Sequence, residues 1–91
     1  MASVIKAAYA GTLESSDAYV TVEPAAAGVE LKLDSVVEAQ FGDSIRASVL
    51  ELVRQLGIEG AEIRIVDRGA LDCVIRARVE TALRRGTGEI K

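Results

Sequence analysis

Two adjacent serine hydroxyls stand between two carboxylates in the segment Glu14–Asp17. Serine and aspartate are typical of tight turns, and the small residues upstream and the alternating ones downstream are compatible with strands. The segment therefore predicts a hairpin tip at 15–17 that presents Ser15 and Ser16 to solvent. An exposed hydroxyl on such a support is accessible to an enzyme that modifies it. The same residues also fit a plain solvated turn, so the pattern indicates a candidate site but not its use.

Side chains that usually carry out catalysis are scarce. The chain contains no histidine, which removes the commonest proton shuttle near neutral pH and the commonest metal ligand. The single cysteine, Cys73, permits neither an internal disulfide nor a thiolate metal cluster. Counting from Leu71 at helical spacing, Cys73 lies away from the apolar stripe and faces solvent or a partner subunit. We therefore expect no catalytic residues and no metal site.

Length, charge and hydropathy exclude several classes of protein. The 91 residues suit one compact domain, expected to span 1–91. A formal net charge of -3 argues against binding to a nucleic-acid backbone, which requires clustered lysine and arginine. No apolar run approaches the roughly 20 residues that cross a bilayer. We expect a cytoplasmic protein with no nucleic-acid or membrane partner, and the single cysteine is consistent with a reducing compartment.

Apolar residues alternate along the segments that must position these hydroxyls. Ala18–Glu23 has the period of two expected for a half-buried strand, and Ala8–Glu14 is compatible with its hairpin partner. Val29–Leu33 and Ala61–Val66 repeat the alternation. The residues at 59–60 are expected to form the turn before the last strand.

Two segments have apolar residues at helical spacing. Asp43 is the expected N-cap of a helix that Gly57 ends. A second helix is expected from Ala70 to about Arg85, followed by a flexible tail over 86–91.

The segment before the first helix is ambiguous. Ser35 and Glu38 have the form of a capping box, but Gly42 is expected to limit any helix begun there to one turn. The resulting order, β-β-β-α-β-α, predicts an α+β domain. We expect a mainly antiparallel sheet of about four strands, with two helices packed on one face.

Three separated blocks resemble the acyl carrier subunits of citrate lyase. They read AGTLESSD at 10–17, VEAQFGDSIR at 37–46 and GALDCVIRAR at 69–78. Three blocks in the right order within a short chain are a specific signal, and the resemblance covers nearly the whole length. In that family the serine immediately after Leu-Glu bears the prosthetic group, which corresponds to Ser15. The relatives have glycine at the next position, where this chain has Ser16.

The resemblance implies a covalent prosthetic group on Ser15. It would be 2'-(5''-phosphoribosyl)-3'-dephospho-CoA, joined through a phosphodiester, with a terminal thiol that carries acetyl and citryl groups as thioesters. The chain itself would be a non-catalytic carrier. The implied partners are the citrate lyase alpha subunit, an acyl transferase, the beta subunit, a citryl lyase, and the transferase that attaches the prosthetic group.

Four charged residues are candidates for recognition. Glu14 and Asp17 flank the attachment serine, and their charge would help the attaching enzyme or the lyase subunits recognise the tip. Arg76 and Arg78 could meet a phosphate of the arm or an acidic partner surface, which guanidinium geometry suits. For Arg78 a structural role is also open, since helical spacing places its stem beside the apolar stripe while its head reaches solvent.

Other interpretations of the whole chain remain open. A carrier of the same kind could serve a related acid, such as citramalate or malonate. In a different class, the chain could be a structural or regulatory module that only contacts other subunits, with Ser15 a turn residue. Cys73 as a nucleophile or thioester carrier would lack a histidine to activate it.

Overall fold

The computed structural model describes residues 2–91, which form five strands and two helices. In chain order these are β1 (Ala2–Ser3), β2 (Ala8–Gly11), β3 (Ala18–Glu23), β4 (Gly28–Ser35), α1 (Glu38–Gln55), β5 (Ile58–Asp67) and α2 (Asp72–Thr87). The predicted α+β class is confirmed, as is the order β-β-β-α-β-α for the six longer elements. Within the described range neither helix is long and apolar enough to cross a bilayer.

The sheet is mixed and has five strands, so the prediction of about four mainly antiparallel strands was wrong in both respects. β5 lies between β3, which is antiparallel to it, and β4, which is parallel. β2 pairs antiparallel with β3, and the short β1 runs parallel to the start of β5. The parallel pair follows from its connection, because a helical crossover such as α1 returns the chain to the sheet in the same direction.

Alternation along the strands separates a covered face of the sheet from an open face. α2 packs against β2 and β3, while α1 packs against β4 and against α2, so both helices cover one face as predicted. The largest fully buried apolar side chains are Ile63, Ile65, Ile75, Leu83, Val20, Val22, Val49 and Val79. The core is therefore aliphatic, and the opposite face of the sheet carries the polar residues of the same strands.

The first helix begins earlier than expected. α1 runs without interruption from Glu38 through Gly42, which was expected to limit it to one turn. Arg46 donates to Glu38 Oε2 at 2.8 Å, and a Cβ at Gly42 would lie 3.0 Å from the Glu38 side chain. Because Gly42 has no side chain, it leaves room for this ion pair along the helix surface. The ion pair offsets part of the stability that glycine costs inside a helix.

The proposed capping box does not form. The N-cap position is Val37, and no side chain caps the helix. The Ser35 hydroxyl instead donates to Asp67 at 2.7 Å across the sheet and accepts the Val37 N–H at 3.1 Å. Ser35 therefore bonds Asp67, which is distant in the chain, and does not form the local capping interaction with Glu38 that the spacing predicted.

Other element boundaries differ by a few residues. β2 ends at Gly11 rather than Glu14. Residues 59–60 belong to β5, in which Gly60 pairs with both β1 and β4, and are not a turn. Gly57 ends α1 as predicted, with a φ of 68°. α2 starts two residues after Ala70 and continues through Thr87, so the predicted tail begins later than expected.

Candidate functional site

Ser15 lies on the six-residue loop, residues 12–17, that connects β2 to β3. Its side chain is exposed, as is that of Ser16. The Asp17 N–H donates to Glu14 O at 3.1 Å and closes a four-residue turn with Ser15 and Ser16 at its centre. Ser16 has a φ of 65°, as the third residue of a type II turn requires. The predicted presentation of Ser15 at the hairpin tip is therefore confirmed.

The Asp17 carboxylate holds the loop in shape. It accepts hydrogen bonds from the Thr12 hydroxyl at 2.7 Å and from its neighbour's backbone, the Ala18 N–H, at 2.7 Å. Arg78 on α2 binds the same carboxylate with both Nε and Nη2, at 3.0 and 3.1 Å. One side chain thus joins both sides of the loop to the helix behind it.

These contacts change the protonation chemistry of Asp17. Hydrogen bonds from Thr12, and then from Arg78 and Ala18, lower the pKa of Asp17 from its ordinary value of 3.8 to about 2. The carboxylate is therefore ionised at neutral pH and fully engaged by donors. It is placed to position the loop and has little capacity left to accept a proton from Ser15.

Gly11 allows β2 to enter the loop next to Arg78. Its φ is 94°, and a Cβ at this position would lie 1.9 Å from Ala18 O and 3.2 Å from Arg78 Cδ. Only glycine accommodates both the backbone conformation and this close approach. The aliphatic stem of Arg78 packs here, so the structural role considered for Arg78 is found together with its bond to Asp17.

A second turn, residues 68–71 between β5 and α2, supports the first. The Ser16 N–H donates to Arg68 O at 2.9 Å, and the Arg68 N–H donates to Asp17 O at 2.9 Å. Asp67 is 1% exposed and accepts bonds from the Gly69 and Ala70 N–H groups at 3.2 and 2.8 Å. With the bond from Ser35, this buried carboxylate fixes the turn against which the Ser15 loop rests.

The structure brings together some of the predicted residues and separates others. Asp17 and Arg78 meet directly beneath the loop, whereas the Glu14 side chain projects into solvent. Arg76 donates to Ser48 O at 2.9 Å and to Ser48 Oγ at 3.1 Å, and so joins α2 to α1. Cys73 is exposed, as expected.

Sequence reasoning missed three contributors to the site. Thr12 lies inside the AGTLESSD block, but nothing in the spacing showed that its hydroxyl binds Asp17. Asp67 and Arg68 were interpreted as an ordinary turn, because their partners are about 30 and 50 residues away along the chain. The one available signal was the Asp-x-Gly pattern at 67–69, which is typical of a carboxylate that bonds backbone N–H groups ahead of it.

This arrangement presents an exposed hydroxyl on a loop that is held by hydrogen bonds. Among residues 2–91, no group of three or more potential ligands could hold a metal ion. Asp17, the loop carboxylate that the fold holds in place, already has four hydrogen-bond donors.

Comparison with known proteins matches the chain to one family model and to several individual relatives. A family model with the short name ACP, described as "Malonate decarboxylase delta subunit (MdcD)", matches residues 5–86. The chain is 49% identical to the citrate lyase acyl carrier protein of Yersinia enterocolitica, over 94% of this chain and 90% of that one. It is 46% identical to the protein of that name from Streptococcus uberis, over 93% and 84%. For the one from Vibrio cholerae serotype O1 (strain M66-2), identity is 54% over 86% and 81%.

A solved structure shares the fold. A crystal structure of a protein from Thermus thermophilus matches 96% of this chain with a TM-score of 0.57 and 14% sequence identity. The chain spans only 16% of the length of that protein. At this level of identity the match concerns the fold alone.

Proposed function

The chain belongs to the family of citrate lyase acyl carrier proteins, and from this membership we propose that Ser15 is where its prosthetic group is attached. The chain is an acyl carrier. The observation that carries the proposed attachment site is that Ser15 is exposed in a turn fixed by hydrogen bonds to two other parts of the fold. The hydroxyl is thus both accessible and held in one place for a modifying enzyme.

Ser15 fits the attachment better than its neighbour. Ser16 has a left-handed backbone conformation, and its N–H is bonded to Arg68 O. Ser15 occupies the second position of the turn, and its φ is not positive. The serine after Leu-Glu is also the one that the family resemblance identifies. We therefore assign the attachment to Ser15 alone.

The proposed group is 2'-(5''-phosphoribosyl)-3'-dephospho-CoA. When bound, it supplies a thiol that forms a thioester with the acyl group. The chain's own part is to hold the arm at high local concentration near its partners. The proposed partners are the alpha subunit, which exchanges acetyl for citryl groups, the beta subunit, which cleaves the citryl group, and the attaching transferase. In this proposal the chain is non-catalytic and cytoplasmic.

The four recognition candidates have different proposed roles. Glu14 is exposed and is the residue we propose to meet the transferase through charge. Asp17 and Arg78 position the loop through their bidentate contact. Arg76 fixes α2 to α1 through Ser48, so its effect on modification is expected to be smaller.

A second candidate function, that of a malonate carrier, has one observation in its favour. The matching family model is described as a malonate decarboxylase subunit, which suggests a carrier for malonate. The similar proteins that carry the citrate lyase name favour citrate. Reconstituting the modified chain with the citrate lyase alpha and beta subunits and measuring citrate-dependent oxaloacetate formation separates the two. No oxaloacetate, with decarboxylation of malonate in the other complex, would favour the malonate carrier.

The attachment is tested by intact mass and peptide mapping of the chain produced together with the transferase. The expected result is a mass increase that matches the dephospho-CoA derivative and maps to Ser15. Ser15→Ala should abolish the increase, and the matched Ser16→Ala variant should retain it. An unmodified chain in the presence of an active transferase would instead support the module that only contacts other subunits.

A further inference from the structure

Two of the three aromatic residues of the chain lie together on the open face of the sheet. Tyr9 on β2 and Tyr19 on β3 have ring centroids 5.8 Å apart, with an interplanar angle of 39°. Tyr9 is 60% exposed. The third aromatic residue, Phe41, is also exposed, at 54%. The hydrophobic core is thus built without aromatic side chains, and the tyrosine pair contributes nothing to its packing.

The pair forms one wall of a shallow concavity of about 520 Å³. Thr21 and Glu23 on β3 and Arg64 on β5 line it as well. Tyr9 lies opposite Thr21, and Thr21 opposite Arg64, so the three side chains form one row across the sheet. Arg64 is 58% exposed and lies 3.5 Å from Glu62. An aromatic surface beside a guanidinium group suits a planar base that carries phosphates.

The concavity lies close to the attachment loop. Tyr19 follows Ser15 by four residues on the same hairpin, which places its Cα at most about 14 Å away. The bonds of residues 16 and 17 to Arg68 hold the loop against the β5–α2 turn, which restricts changes in this separation. A group attached to Ser15 therefore starts within reach of the tyrosine pair.

We propose that the adenine base of the prosthetic group stacks on Tyr9 and Tyr19, with Arg64 facing its pyrophosphate. This inference rests on the proposed attachment at Ser15. In 2'-(5''-phosphoribosyl)-3'-dephospho-CoA one phosphoribosyl unit links the serine to the adenosine ribose, so the base lies near the attachment point and the thiol at the far end. Stacking on aromatic side chains is a general mode of base recognition. It leaves the pantetheine free to reach partner subunits.

Tyrosine emission provides a direct test, because the chain has two tyrosines and no tryptophan. Intact mass first establishes that Ser15 is modified. We then expect the modified chain to lose tyrosine emission relative to the Ser15→Ala variant produced in the same way. In NMR spectra the adenine protons should shift upfield from their positions in free dephospho-CoA, as ring stacking requires.

Matched variants separate stacking from a general effect of modification. Tyr9→Leu, an exposed substitution, should return the adenine protons of the modified chain towards their free positions. Phe41→Leu, which removes the exposed aromatic ring on α1, should leave them shifted. Circular dichroism checks that both variants are folded.

The outcomes distinguish this inference from the function on which it rests. Modification of Ser15 with unchanged tyrosine emission and unshifted adenine protons would overturn the stacking and leave the attachment intact. Equal effects of Tyr9→Leu and Phe41→Leu would also overturn it. Failure of the modification itself would count against the attachment at Ser15. In that case, titration of free dephospho-CoA into the unmodified chain tests base binding by the tyrosine pair alone. Shifts at Tyr9 and Tyr19 are expected in that titration, and their absence would count against the inference.

Discussion

The two loops that flank β3 differ in how the rest of the chain holds them. The loop at 12–17 is tied to α2 through Asp17 and to the β5–α2 turn through two backbone hydrogen bonds. The loop at 24–27 follows the other end of the same strand. Among the hydrogen bonds of residues 2–91, none involves a residue of this second loop. Long-range hydrogen bonds thus distinguish the loop that presents Ser15 from the loop at 24–27.

This difference shows that connection length and exposure alone do not distinguish the loop that carries the proposed attachment site from the other loop. Both loops are short and both have exposed residues. What distinguishes the Ser15 loop is that several independent contacts determine its conformation, which is the usual condition for keeping a residue with positive φ such as Ser16. Variants in each loop test whether this difference in hydrogen bonding is reflected in stability.

The largest expected effect is that of Gly11→Ala. A Cβ there would lie 1.9 Å from Ala18 O at a positive φ, so the free energy of unfolding should fall by about 3 kcal/mol or more. The matched control is Gly28→Ala, beside the other loop. Gly28 also has a positive φ of 76°, but a Cβ there would meet nothing within 4 Å, and the expected loss is about 1–2 kcal/mol. Urea denaturation measures both, and equal losses would contradict the comparison.

The next effect is that of removing the Asp17 carboxylate with Asp17→Asn. Because the folded-state pKa of about 2 is below the ordinary value of 3.8, this contact stabilises the fold above about pH 4. The contribution is lost as the pH falls from about 4 to about 2. The variant should lack this pH dependence, and its Ser16 amide should exchange faster.

The control for that variant is Asp43→Asn, which removes a fully exposed carboxylate from α1. It should leave both the acid titration of the loop and the exchange of the Ser16 amide unchanged. Carbon NMR of the Asp17 carboxylate provides the titration directly. A midpoint near 3.8 would show that the contacts from Thr12 and Arg78 do not persist in solution.

A smaller effect of opposite sign is expected from Ser16→Gly. Relief of the positive φ at this position should raise the free energy of unfolding by about 0.5–1 kcal/mol, since glycine adopts this conformation without a Cβ clash. Ser15→Gly, where φ is not positive, should lower it instead. Thermal or urea unfolding of the two variants gives the signs, and a loss for Ser16→Gly would mean that its hydroxyl is needed for the turn.

The smallest effect is expected in the loop at 24–27, which lacks hydrogen bonds among the described residues. Insertion of two glycines between Ala26 and Ala27 should cost roughly 0.5 kcal/mol, the entropy of closing a slightly longer loop. The same insertion between Ser15 and Ser16 should cost more, because it breaks the hydrogen bonds to Arg68. Similar losses from the two insertions, measured by urea denaturation, would remove the distinction between the loops.

Much of the fold could be predicted from local patterns. β3 alternates buried and half-buried residues as its sequence indicated, and Gly57 ends α1 where expected. The parallel pairing of β4 with β5 was not predicted, but the sequence allowed the prediction. A strand-helix-strand connection within one sheet implies a parallel pair. The two-residue β1 could not be predicted, because its pairing with β5 is a long-range contact with too few residues to show alternation.

For the candidate site, the exposed hydroxyl was predictable but its support was not. Turn composition placed Ser15 at a hairpin tip, and helical spacing placed Arg78 beside the apolar stripe. That Arg78 meets Asp17, 61 residues away in the chain, depends on how α2 lies across the hairpin. Ser35 illustrates the same limit, because its hydroxyl bonds the buried carboxylate of Asp67 and does not form the predicted capping box with Glu38.

The reciprocal bonds between Arg68 and residues 16 and 17 join the two turns and restrict movement of one relative to the other. Under the proposed attachment, we expect a group on Ser15 to move mainly by rotation about its own bonds and those of the serine side chain. Its far end samples part of a sphere whose centre is fixed relative to both helices. Any two catalytic centres that it serves must lie within one arm length of that centre, or the whole subunit must rotate between them.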